Sequence, residues 1–185
     1  MTTTPPPDWP GLFRLFAPEA ELPGLTAISA AEVPEPYHRL LVHTEHMTVT
    51  VEAFYAQPVV VRVLGRHLAD QRYSRKILLA LQQTGEIVQF GIVRIGLNFC
   101  PPPVREAILA EREPLGRILI AHDLLRRIEL TGFVRVAPGP ATRQWFGPDT
   151  NRDTYGRLGY IHVGDQPAIE LVEILAPIPP ALHNH

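Results

Sequence analysis

The sequence predicts an α+β domain, a largely antiparallel sheet of about six strands with short helices packed around it. Two observations carry that prediction. Strand-like segments come in pairs joined by tight turns, a connection open only to antiparallel neighbours. The helix-like segments are short and stand together between those pairs instead of alternating with single strands. The longest pair covers residues 71–99 and folds back at Gln82-Gln83-Thr84-Gly85, where the glycine supplies the positive φ of a short hairpin loop.

Residues 1–8 are rich in proline and threonine and read as a disordered tail. The domain is expected over residues 9–177, with a C-terminal tail at 178–185. Trp9, Leu12, Phe13 and Phe16 stand at helical spacing, which predicts a short helix over 9–17. Pro18, Pro23, Pro34 and Pro36 make 19–36 mostly loop, and 37–44 a helical turn or two. In 46–56, Thr48, Thr50, Glu52 and Phe54 alternate with Val49, Val51 and Ala53; this favours a strand, although a helix also fits. The β-branched run 58–68 is a strand, and the hairpin follows it. Pro101-Pro102-Pro103 ends the hairpin, since proline cannot donate to a ladder. Helices are predicted over 104–110 and 115–122, then a strand over 124–137. Residues 138–154 read as a long polar loop whose Trp145 and Phe146 either cover a pocket or anchor the loop. A final hairpin, 155–163 with 168–176, turns at Gly164-Asp165.

Bulk properties exclude several classes. A net charge of −2 over 185 residues gives no electrostatic case for nucleic acid or an anionic membrane. No apolar run is long enough to cross a bilayer, and residues 1–7 lack the basic and apolar regions of a signal peptide, so a soluble cytoplasmic protein is expected. Cys100 is the single cysteine, which rules out an intrachain disulfide and a cysteine metal cage. The histidines show no zinc-ligand spacing, and no cofactor is expected. Composition does not define an oligomeric state.

Two charges break the apolar pattern. On the strand over 71–81, Tyr73, Arg75, Ile77 and Leu79 share one face. On the last strand, Glu173 lies in a row with Ile169, Leu171 and Leu175; neither face of that strand is polar, which predicts a central position. An inward arginine is costly unless an anion meets it, and an inward carboxylate should titrate high unless paired. Either Arg75 and Glu173 bridge one another, or they face one pocket, with an anion-holding guanidinium at one end and an acid/base carboxylate at the other.

Four segments resemble the chorismate lyase family and the wider group that shares its fold, including ligand-sensing domains of bacterial transcription regulators. They are Thr44-Glu45-His46-Met47-Thr48, Tyr73-Ser74-Arg75-Lys76-Ile77-Leu78-Leu79, Glu113-Pro114-Leu115-Gly116-Arg117 and Leu171-Val172-Glu173-Ile174-Leu175-Ala176-Pro177. The resemblance implies a cofactor-independent lyase that eliminates pyruvate from chorismate to give 4-hydroxybenzoate or a related hydroxybenzoate, in ubiquinone biosynthesis or another aromatic pathway. It assigns the substrate carboxylate to Arg75 and the hydroxyl end and proton transfer to Glu173. Met47 and Leu115 would hold the ligand through backbone groups, with Gly116 of the same motif beside them. His122 is either a further pocket residue or a capping and packing group. The alternative within the same fold is a non-catalytic domain that binds or senses a small aromatic carboxylate. A sensor of that kind is expected to carry a DNA-binding segment, which this sequence lacks; that favours the enzyme.

Overall fold

A computed structural model describes residues 7–17, 22–124 and 126–179. The expected tails therefore fall largely outside the described residues, at 1–6 and 180–185. Seven strands form one sheet: β1 (Leu25–Ile28), β2 (Val59–Ala69), β3 (Arg72–Leu81), β4 (Ile87–Gly96), β5 (Arg126–Val136), β6 (Thr154–Val163) and β7 (Gln166–Leu175). Their order is β1-β5-β6-β7-β4-β3-β2, every neighbouring pair is antiparallel, and β7 is central. Six short helices cover the sheet among the described residues: α1 (Trp9–Arg14), α2 (Tyr37–Leu41), α3 (Met47–Tyr55), α4 (Pro102–Ala110), α5 (Leu115–Ala121) and α6 (Pro140–Phe146). The α+β antiparallel architecture is as the sequence predicts.

The two faces bury different things. On one, Leu78, Phe90, Ile92, Val172 and Ile174 pack against Leu12 and Phe13 of α1 and Trp145 of α6. On the other, two apolar clusters lie side by side. One joins Val93, Ile95, Ile161 and Leu171 to α4 and α5; the second joins Ile77, Leu79 and Leu175 to α2 and α3. Covering both faces explains why β4 and β7 read as nearly unbroken apolar runs.

Three local expectations are corrected. Residues 47–55 are a helix: Met47, Thr48 and Val51 are buried at helical spacing, and the packing against α5 overrides the β-propensity of a Thr-Val run. The arginine of α5 helps hold it, Arg117 donating to the Glu52 carboxylate. The segment 19–36 contains β1, an edge strand without an alternating pattern of its own, paired to β5 from Leu25↔Val136 to Ile28↔Phe133. The segment 138–154 contains α6, whose Pro140 sits at the first helical position, where a missing N–H costs nothing. Trp145 is the anchor: its ring stacks on Phe90 at 3.7 Å, on the sheet face away from the two side-by-side clusters.

Candidate functional site

Register decides which side chains meet. On the face carrying the two clusters, three rows cross the middle of the sheet: Arg75–Val93–Leu171, then Ile77–Gly91–Glu173–Arg157, then Leu79–Gln89–Leu175. Rows lie about 7 Å apart along the strands and neighbours about 4.8 Å apart across them. Arg75 and Glu173 are thus one row and two strands apart, about 12 Å between Cα atoms. Gly91 occupies the centre of this patch, and its missing side chain leaves the floor open.

Above that floor is a cavity with about 40 Å³ of room for the centres of water molecules, at the seam between the two apolar clusters. Arg75, Gln89, Glu173 and apolar side chains of β3, β4 and β7 form its floor and ends. His46, Met47 and Thr48 at the start of α3 and Pro114, Leu115 and Gly116 at the start of α5 form its roof. Gly116 permits that roof. A Cβ there would stand 3.0 Å from both His46 Cβ and Thr48 Oγ1, too close for the two helix starts to meet as they do.

The two marked charges do not bridge one another. Arg75 is 1% exposed, yet its hydrogen bond to the protein is a long one, Nη2 donating to the Glu113 carbonyl at 3.4 Å. Its Nε and Nη1 are buried without a partner. Burial pulls its pKa below the ordinary arginine value, with Tyr73 and Glu111 opposing; starting so high, the group remains a cation. Glu173 is instead held by Arg157, Nε to Oε2 at 2.7 Å. Arg157 is itself fully buried and donates through Nη1 to the His43 carbonyl and through Nη2 to the Glu45 carbonyl. It fastens the loop that leads into α3 to the sheet. His46, the residue before α3, accepts from Arg126 Nε at 2.6 Å. Burial first, then the positive charges of Arg126 and Arg157, push its pKa down to about 4, so the imidazole is neutral at physiological pH.

Of the residues marked in the sequence, Arg75, Glu173, Met47, Leu115 and Gly116 meet at this cavity. His122 does not: it is exposed at the C-terminal cap of α5. Sequence reasoning missed Arg157, Gln89 and Gly91. Pairing the strands would have found them only with the correct register, and both hairpins carry a bulge that shifts it.

No protein-family profile and no curated protein sequence matches the chain. Among solved structures it is similar to PhnF from Mycobacterium smegmatis, with a TM-score of 0.52 and 12% identity. That match covers 73% of this chain and 65% of the PhnF chain, so under two-thirds of that protein's length is represented. A GntR-family transcriptional regulator from Bacillus cereus is matched at 11% identity, with a TM-score of 0.44, over 64% of this chain and 92% of that one. The likeness to PhnF shows the fold class, the α+β chorismate lyase-like fold.

The lyase expectation is corrected by this. PhnF, the solved structure that carries the likeness, is a regulator rather than an enzyme. The carboxylate expected to transfer a proton is also committed to an ion pair with Arg157. Pyruvate release and a place in ubiquinone biosynthesis lose their support with it. The argument from a missing DNA-binding segment carries no weight either, because the match itself accounts for only part of PhnF. No helix among the described residues is long and apolar enough to cross a membrane.

Proposed function

We propose that the chain is a non-catalytic sensing domain that binds a small organic carboxylate in the cavity, with Arg75 as the anion-holding group. The observation that carries this reading is the buried Arg75 guanidinium with Nε and Nη1 unpartnered beside an open space. A planar carboxylate is the ligand whose two oxygens match one edge of that guanidinium, Nη2 together with Nε or with Nη1. The apolar floor of Ile77, Leu79, Val93 and Leu171 suits the carbon skeleton. Met47, Leu115 and Gly116 serve as roof, and Glu173 acts through Arg157 to keep the roof in position.

Size ranks the candidates. An apolar cavity that holds benzene measures about 150 Å³. At about 40 Å³ this one takes compact acids as it stands, and an aromatic acid only after the roof widens. The test is calorimetry with acetate, propionate and benzoate against the matching neutral amides. The expected result is binding of at least one acid, no binding of its amide, and loss of binding in Arg75→Met. Equal binding of acids and amides, or binding that survives Arg75→Met, would overturn the reading.

A further inference from the structure

We infer that Gln89 is a specificity-determining residue that selects, among carboxylates, those bearing a hydroxyl group. This rests on the carboxylate reading of the cavity and goes one step beyond it. Gln89 is 2% exposed and lines the cavity from β4, two residues from the floor glycine Gly91. Its Oε1 is buried with no hydrogen-bond partner. An amide oxygen in that state has lost its water without replacement, a cost proteins rarely leave standing. Its cross-strand neighbours, Leu79 on β3 and Leu175 on β7, are aliphatic and supply no donor. No hydrogen bond within the protein satisfies it, and a ligand that enters the cavity can.

A hydroxyl is the group that fits. It donates to the amide oxygen and can accept from the amide nitrogen, so one small substituent satisfies the side chain in either orientation. Arg75 and Gln89 stand in the first and last rows of the patch, two rows and one strand apart. The arginine takes the acid end and the glutamine reads the other. A site built to hydrogen-bond a hydroxyl rejects the analogue lacking it, because the site's own polar group is then left unpaired.

The experiment compares matched pairs by calorimetry: glycolate with acetate, lactate with propionate, and 4-hydroxybenzoate with benzoate. The wild type should bind the hydroxylated member of at least one pair about tenfold or more tightly. In Gln89→Met the ratio should fall to about one, while Arg75→Met loses both members. Gln89→Leu serves if the methionine variant does not fold. Without ligand, Gln89→Met should melt at or above the wild-type temperature, since an unpaired polar atom has been removed.

The two readings fail separately. If plain acids bind through Arg75 but the hydroxyl brings no gain, or if the gain survives Gln89→Met, the inference on Gln89 is wrong and the carboxylate site stands. If no member of any pair binds the wild type, the carboxylate reading falls and this inference falls with it.

Discussion

Arg75 and Glu173 look alike in the sequence, each a charge in an apolar row, yet the fold treats them oppositely. Glu173 is neutralised within the protein by Arg157. Arg75 is buried with two nitrogens unpartnered. Two outcomes follow. Arg75→Met should raise the stability of the unliganded protein by about 1–3 kcal/mol in urea unfolding, because an unpaired buried cation is replaced by a well-packed side chain. Arg157→Met should lower it by about 3 kcal/mol, since it leaves a largely buried carboxylate without its partner, and Arg157→Met with Glu173→Met together should recover most of the loss. A wild-type-like Arg157→Met would show that the pair is not what holds the loop before α3. His46 sets a pH dependence. Its folded-state pKa of about 4 lies below the ordinary histidine value, so the unfolded chain takes up its proton first. The stability it contributes is present above pH 6.5 and is lost as pH falls from there toward 4. Urea midpoints measured across that window should decline for the wild type and decline less for His46→Gln.

At the scale of elements, the two faces of the sheet divide the labour. The face covered by α1 and α6 is a closed aromatic core, with Phe13, Phe90 and Trp145 in stacked contact. The opposite face holds the cavity under the starts of α3 and α5. Trp145→Ala should therefore cost about 3–5 kcal/mol of stability while the remaining folded protein binds carboxylates as tightly as the wild type. A parallel loss of affinity at temperatures where the variant is fully folded would mean that the faces are coupled through the strands. The helices also show why local pattern misled. The Thr-Val alternation of α3 favours a strand until the partner surface of α5 is known, and only the tertiary contact chooses the helix.

For the whole molecule, a ligand in this cavity touches both apolar clusters of its face and the sheet between them. Binding should thus stabilise the domain as a unit. At a ligand concentration of 100 Kd the gain is about 2.7 kcal/mol, which for a chain of this size raises Tm by about 5–10 °C. Differential scanning calorimetry of the wild type should show this shift as one cooperative transition, and Arg75→Met should show none. A split transition in the presence of ligand would indicate that only one cluster responds.

The sequence alone determined that an antiparallel α+β domain forms and that Arg75 and Glu173 point inward, because side-chain alternation along a strand is a local property. Which residues stand beside them is not local. Read from its turn alone, the β6–β7 hairpin would set Arg157 opposite Val172; one extra residue at Ala168 shifts the pairing so that it meets Glu173. Likewise an extra residue at Val88 brings Gln89 opposite Leu79 and onto the cavity face, where the unshifted register would turn it to the other side. Each bulge moves a strand by one position, one position exchanges the faces, and only the packed sheet decides where the bulge falls.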